Sequence, residues 1–188
     1  MRADGQGLNG ARRILVYGVT GSGKTTLAGR LSRLVGIEWT SADDVTWQPG
    51  WVLLGEDEQR RIFSEVCARD SWILDTAYSS WLDVALARAE LVVGLDYARW
   101  RSLGRLVRRT IARNLDRRPI CNGNVETWRQ TFSRDSIVAW HFRSFTSKHE
   151  RLVGWAADPA MPPVLLLRTP AQLEAWVDAV ARERQEAA

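Results

Sequence analysis

Apolar residues along the chain fall into short unbroken blocks separated by longer amphipathic stretches. Arg13-Ile14-Leu15-Val16-Tyr17, Trp72-Ile73-Leu74-Asp75, Leu91-Val92-Val93-Gly94-Leu95-Asp96 and Val164-Leu165-Leu166-Leu167 read as buried strands, with Ile37-Glu38-Trp39-Thr40 as a further strand. Continuous rather than alternating apolar runs belong to strands covered on both faces, the pattern of a parallel sheet. The stretches between them carry helical spacing. Lys24 to Val35 aligns Leu27, Leu31 and Leu34 on one face and stops at Gly36. Glu56 to Arg69 turns Ile62, Phe63 and Val66 inward, and a short helix spans Trp81 to Arg88. Arg99 to Asn114 shows an apolar stripe of Trp100, Leu103, Val107 and Ile111. A long helix over Val125 to Ala156 has Trp128, Phe132, Val138, Phe142, Phe145 and Leu152 as anchors. Thr169, Pro170 and Gln172 form an N-terminal capping signature for a last helix, with Leu173, Trp176, Val177 and Val180 facing the core. Trp47 to Gly55 and Leu115 to Asn124 read as loops.

Five strands alternating with helices predict an α/β protein with a five-stranded parallel sheet and helices on both faces. At 188 residues the chain makes one domain, 1–188, with a flexible tail over 1–12. No apolar run approaches the roughly 20 residues needed to cross a bilayer, so no membrane partner is expected. The polar N-terminus lacks a signal-peptide core, which predicts a cytoplasmic protein. Cys67 and Cys121 are then expected as reduced thiols, and neither has a zinc-ligand neighbour at suitable spacing.

The charge pattern narrows the chemistry. The net charge of +4 and pI of about 9.6 favour anionic partners. The 26 cationic side chains include only two lysines, Lys24 and Lys148, the remainder being arginines. Lys24 stands within Gly18-Val19-Thr20-Gly21-Ser22-Gly23-Lys24-Thr25, which fits the phosphate-binding G-x-x-x-x-G-K-[ST] motif between a predicted strand and a predicted helix. Glycines at 18, 21 and 23 let the backbone curl so that N–H groups, Ser22 included, converge on phosphate oxygens at a helix N-terminus. Lys24 supplies charge to the outer phosphates and Thr25 a hydroxyl for Mg²⁺, with Thr26 beside them. ATP and Mg²⁺ are the implied cofactors, on a three-layer P-loop fold.

Asp75 and Asp96 are followed by Thr76 and Tyr97, with no Glu to activate water. No N-K-x-D or L-S-G-G-Q stretch is present. These features favour transfer to an acceptor over hydrolysis. Asp43 and Asp75 lie past strand ends, where open α/β sheets bind ligands. Asp75 is a candidate metal orienter and Asp43 a candidate acceptor-binding group or base; helix capping is the plain alternative for each. Eight arginines occupy Arg99 to Arg118. Arg109, Arg113, Arg117 and Arg118 are candidate lid residues for a developing phosphoryl charge, on a lid loop over 113–124. Arg101, Arg105 and Arg108 read equally as a solvated face. Trp47 and Trp51 either wall an acceptor pocket or only pack.

The P-loop, Asp43-x-x-x-Trp47-x-Pro49-Gly50-Trp51, Trp72-Ile73-Leu74-Asp75-x-x-Tyr78 and the Arg-rich helix together resemble small adenylate-kinase-like P-loop proteins of the topology modulation type. The resemblance runs from Ile14 to Arg168. It implies a nucleoside-monophosphate-kinase-like arrangement of core, acceptor segment and lid, with ATP as donor, and leaves the acceptor open; a small-molecule acceptor is the expectation from the residues themselves. Ser41-Ala42 stands where that pattern has His-Leu, and Thr76-Ala77 where it has Gly-Asn. The expected activity is an ATP- and Mg²⁺-dependent phosphotransferase, as a monomer or homodimer. A regulatory nucleotide-binding protein acting on nucleic acid is the alternative, weakened by the absence of a helix-turn-helix signature or aromatic platforms.

Overall fold

A computed structural model describes residues 7–76, 78–116, 119–125, 128 and 137–186. Five parallel strands form the main sheet: β1 (Arg13–Gly18), β2 (Trp39–Ser41), β5 (Trp72–Asp75), β6 (Leu91–Leu95) and β7 (Val164–Leu167), in the order β2-β5-β1-β6-β7. The helices are α1 (Lys24–Val35), α2 (Ala42–Thr46), α3 (Glu56–Cys67), α4 (Leu82–Arg88), α5 (Arg99–Asp116), α6 (Ile137–Ala157) and α7 (Pro170–Glu186). A two-stranded ribbon, β3 (Trp47–Gln48) and β4 (Val52–Leu53), stands apart from the sheet.

The unbroken apolar runs are explained by the core. In β1, Ile14 and Val16 enter one hydrophobic cluster while Leu15 and Tyr17 enter the other. The first cluster joins the sheet to α1 and α7 through Leu27, Leu31, Trp176, Val177 and Val180. The second joins it to α3, α4 and α6 through Phe63, Val66, Ala85 and Leu152. Trp81 is fully buried there and stacks on Phe63 with 3.7 Å between ring centroids and 9° between planes. At the last helix, the Gln172 amide donates to the Thr169 hydroxyl at 3.1 Å, and Gln172 Oε1 accepts from the Arg168 and Thr169 amides. That is the reciprocal cap the sequence predicts.

Four expectations change. The tail is not free throughout: Leu8 packs into the first cluster, and its amide donates to Glu183 on α7 at 2.5 Å. The segment expected as a loop over 47–55 folds as the β3–β4 ribbon, which turns through Gly50 and Trp51 at φ 81° and 60°. The lid loop expected over 113–124 starts later, because α5 stays helical to Asp116. The predicted stripe of α5 faces outward, with Trp100 68%, Val107 38% and Ile111 43% exposed. Its inward face is Ser102, Leu106, Thr110 and Asn114. This face packs against a tight loop and a buried histidine, where small and polar side chains fit. The predicted anchor Phe132 lies outside the described residues. Both cysteines are free thiols, and no described helix is long and apolar enough to cross a membrane.

Replacing Trp81 with Ala removes a fully buried stacked indole, and urea denaturation is expected to show a loss of about 3–5 kcal/mol.

Candidate functional site

The site lies at the carboxyl edge of the sheet, where β1 emerges between β5 and β6 and the chain diverges to either side. Gly18 ends β1 and Lys24 begins α1, so residues 19–23 form the whole connection. Gly21 has φ 82°, and a Cβ there would lie 2.5 Å from the Ser102 carbonyl and 2.9 Å from Leu106 Cβ. Only glycine lets the loop approach α5 this closely. Gly23 caps α1 in the left-handed region at φ 99°. Ser22 is fully buried, and its hydroxyl has no hydrogen-bond partner among the described residues. An orphaned buried hydroxyl inside a curled loop at a helix N-terminus fits a phosphate cradle.

The Lys24 ammonium donates to the Val19 carbonyl at 3.1 Å, folded back over its own loop. Burial lowers its pKa; Asp75 and Asp43 oppose that shift, and Arg109 adds to it. Asp75, 5% exposed at the end of β5, has its pKa raised by burial, against the pull of Lys24 and a hydrogen bond from Thr25. Thr25 and Thr26 are solvent-exposed on the first turn of α1. The loop, Lys24, Thr25 and Asp75 thus converge, and a hydroxyl with a neighbouring carboxylate is a donor set suited to Mg²⁺.

Asp43 lies on α2, beside this group. Ser41 starts that helix by accepting the Asp44 amide at 3.2 Å, and Ala42 is fully buried beneath it. The Tyr78 hydroxyl donates to Asp43 at 2.5 Å. Burial, with the neighbouring Asp43 charge, raises the Tyr78 pKa. Trp47 and Trp51 meet edge to face at 5.9 Å across the ribbon.

The arginines divide. Arg109 approaches Lys24 closely enough to influence it, and Arg113 approaches Cys121 in the following loop. Arg117 and Arg118 lie outside the described residues. Arg105, expected as one of a solvated set, instead lies over the Tyr97 ring at 5.3 Å and donates to the Ser22 carbonyl at 3.4 Å. Among residues 119–125, Asn122 donates to the Asp44 and Trp47 carbonyls at 2.7 and 2.8 Å. Asn124, 5% exposed, donates to Gln48 and Cys121 carbonyls at 3.0 and 2.6 Å and accepts the Trp51 amide at 2.9 Å. The two asparagines clasp this loop onto the ribbon beside Asp43.

Sequence reasoning passed over Lys148 and Arg151 on α6. Arg151 donates to the Tyr17 hydroxyl at 3.0 Å, and Lys148 lies 5.7 Å from the Tyr17 ring centroid. The signal existed, since the scarcity of lysine marks Lys148 as clearly as Lys24.

No family model and no curated relative matches the sequence. Solved structures do match. A gluconokinase from Sinorhizobium meliloti 1021 aligns at TM-score 0.52 and 14% identity, over 94% of this chain and 95% of that one. A sugar kinase from Janibacter sp. HTCC2649 aligns at 0.47 and 22% identity, over 91% and 96%. Deoxyadenosine kinase from M. mycoides with bound dCTP aligns at 0.49 and 10% identity, over 92% and 98%. The first likeness, end to end on both chains, agrees with the sheet order and the loop. The fold is the three-layer α/β P-loop fold.

Thr76 follows Asp75 at φ 74°, a left-handed conformation that a β-branched residue adopts only under strain. Thr76→Gly is expected to raise stability by about 1 kcal/mol, strain relief exceeding the entropy cost of glycine, as measured by chemical denaturation. Asn124→Ala removes all three clasp bonds of that side chain. Hydrogen exchange is expected to accelerate at least roughly tenfold at the Trp51 amide, a loss of about 1–3 kcal/mol of local stability.

Proposed function

We propose that the chain is an ATP- and Mg²⁺-dependent phosphotransferase acting on a small hydroxyl-bearing acceptor. The observation that carries the reading is the meeting of Thr25 and Asp75 at the mouth of the phosphate loop, with Thr76 rather than Glu next in sequence. A donor apparatus stands there without the carboxylate that would activate water.

In this reading the loop amides and Lys24 hold the donor's β- and γ-phosphates. Thr25 and Asp75 would hold Mg²⁺, which would supply positive charge to the transferring phosphates. The acceptor oxygen bonds to the γ-phosphorus as the bond to the β–γ bridging oxygen breaks, releasing ADP. Asp43, held by Tyr78, stands to receive the hydroxyl proton. Arg109 and Arg105 approach the loop from α5, and positioned cations stabilise the charge on the transferring group. Arg113, Arg117 and Arg118 complete the proposed lid set. Trp47 and Trp51 wall the acceptor side. The gluconokinase likeness supports a kinase.

The test is ³¹P NMR of Mg·ATP with the protein and a panel of nucleoside monophosphates, hydroxylated metabolites and 5′-hydroxyl oligonucleotides. A new phosphorylated product is expected, formed at least on the order of 100-fold more slowly by Lys24→Ala. An ATPase rate unchanged by every acceptor would overturn the reading. Nucleic-acid affinity falling steeply with salt, without product, would favour the regulatory alternative.

A further inference from the structure

Among the described residues, Lys148 carries a ring contact but no hydrogen bond or ion pair. Just beyond it in sequence, α6 is anchored to the sheet and to the segment after β6. His149 Nδ1 lies 2.7 Å from the Asp96 carboxylate, whose side chain is 6% exposed. Arg151 bonds the hydroxyl of Tyr17, itself 1% exposed. The half-buried Lys148 ammonium therefore sits over a fixed tyrosine ring, yet makes no hydrogen bond or ion pair among the described residues. Asp43, one of the carboxylates that influence it, accepts a hydrogen bond from Tyr78.

The groups that face it are Lys24 from α1, Asp43 from α2, Asp75 from β5, Tyr17 from β1 and Arg151 from α6. Burial first, then repulsion from Lys24, pushes the Lys148 pKa down to about 7, against the pull of Asp43. An amine whose lost solvation is only partly offset by nearby carboxylates regains stability when an anion arrives.

Its location says which anion. Tyr17 projects into the cluster containing Ala42, Trp81 and Tyr78, the face that carries Asp43. The face of α1 and α7, by contrast, holds Tyr97. Lys148 and Arg151 thus flank the acceptor side of the phosphate loop.

We propose that Lys148, with Arg151, binds an anionic group of the acceptor, so that the acceptor is a hydroxyl compound bearing a carboxylate or a phosphate ester. This rests on the phosphotransferase reading for the word acceptor; the anion site itself does not.

The binding test uses radiolabelled sulfate, which does not titrate near neutrality, in equilibrium dialysis from pH 6 to 9. Wild-type affinity is expected to be highest below pH 7 and to fall toward roughly tenfold per unit above it, because the free ammonium deprotonates there while the bound one does not. Lys148→Met is expected to weaken binding about 10- to 100-fold at pH 6. Lys148→Arg should retain the affinity and lose the fall with pH, since guanidinium stays charged. Lys24→Ala should retain a Lys148-dependent sulfate. Binding lost in Lys24→Ala but unchanged in Lys148→Met, or a fall with pH that persists in Lys148→Arg, overturns the proposal. Thermal melts show whether each variant is folded.

Turnover tests the acceptor chemistry with matched sets: a neutral polyol, its carboxylate and its phosphate monoester. Preference for one charged member by about 10- to 100-fold in kcat/KM, with Lys148→Met raising its KM and leaving that of ATP unchanged, supports the proposal and identifies the anion. Preference for the neutral polyol overturns it while leaving the kinase reading intact. Sulfate binding as expected, with no acceptor phosphorylated, sinks the kinase reading and leaves the anion site.

Discussion

The burial of β1 on both faces governs the site. Ile14 and Val16 on one side and Leu15 and Tyr17 on the other give the strand no freedom to slip. A shift of one residue would exchange two well-packed faces. The loop after Gly18 therefore leaves the sheet at one place and in one direction. α5 closes against it so tightly that Gly21 cannot gain a methyl group without meeting the Ser102 carbonyl. Arg105 and Arg109 inherit their positions from that contact.

Electrostatics then acts within an enclosed frame. Lys24, Lys148, Arg109 and Asp75 are brought together where solvent screens little, and the shifts in the lysines and Asp75 all begin with desolvation. Cations outnumber carboxylates in this group even with Asp43 included. Cations gathered in this way attract anions.

Local features were legible from the chain. The phosphate loop, the stop at Gly36 and the cap at Thr169 each depend on residues a few positions apart. Strand blocks were legible because two-sided burial leaves its mark on every residue. The orientation of α5 was not: Trp100, Val107 and Ile111 have the periodicity of a buried stripe, but contact with the loop selected Ser102 and Leu106 instead. Lys148 was missed because its relation to Tyr17 spans more than a hundred residues, and no periodicity encodes it. The ribbon at Trp47 was hidden by Pro49 and Gly50, which signal a turn without revealing the strands that flank it.

The Asn122 and Asn124 bonds tie the loop to α2 and the β3–β4 ribbon through backbone carbonyls rather than through a ligand. Closure is thereby a property of the resting protein. A guest molecule meets a mouth already shaped, so little of its binding energy goes to ordering the walls.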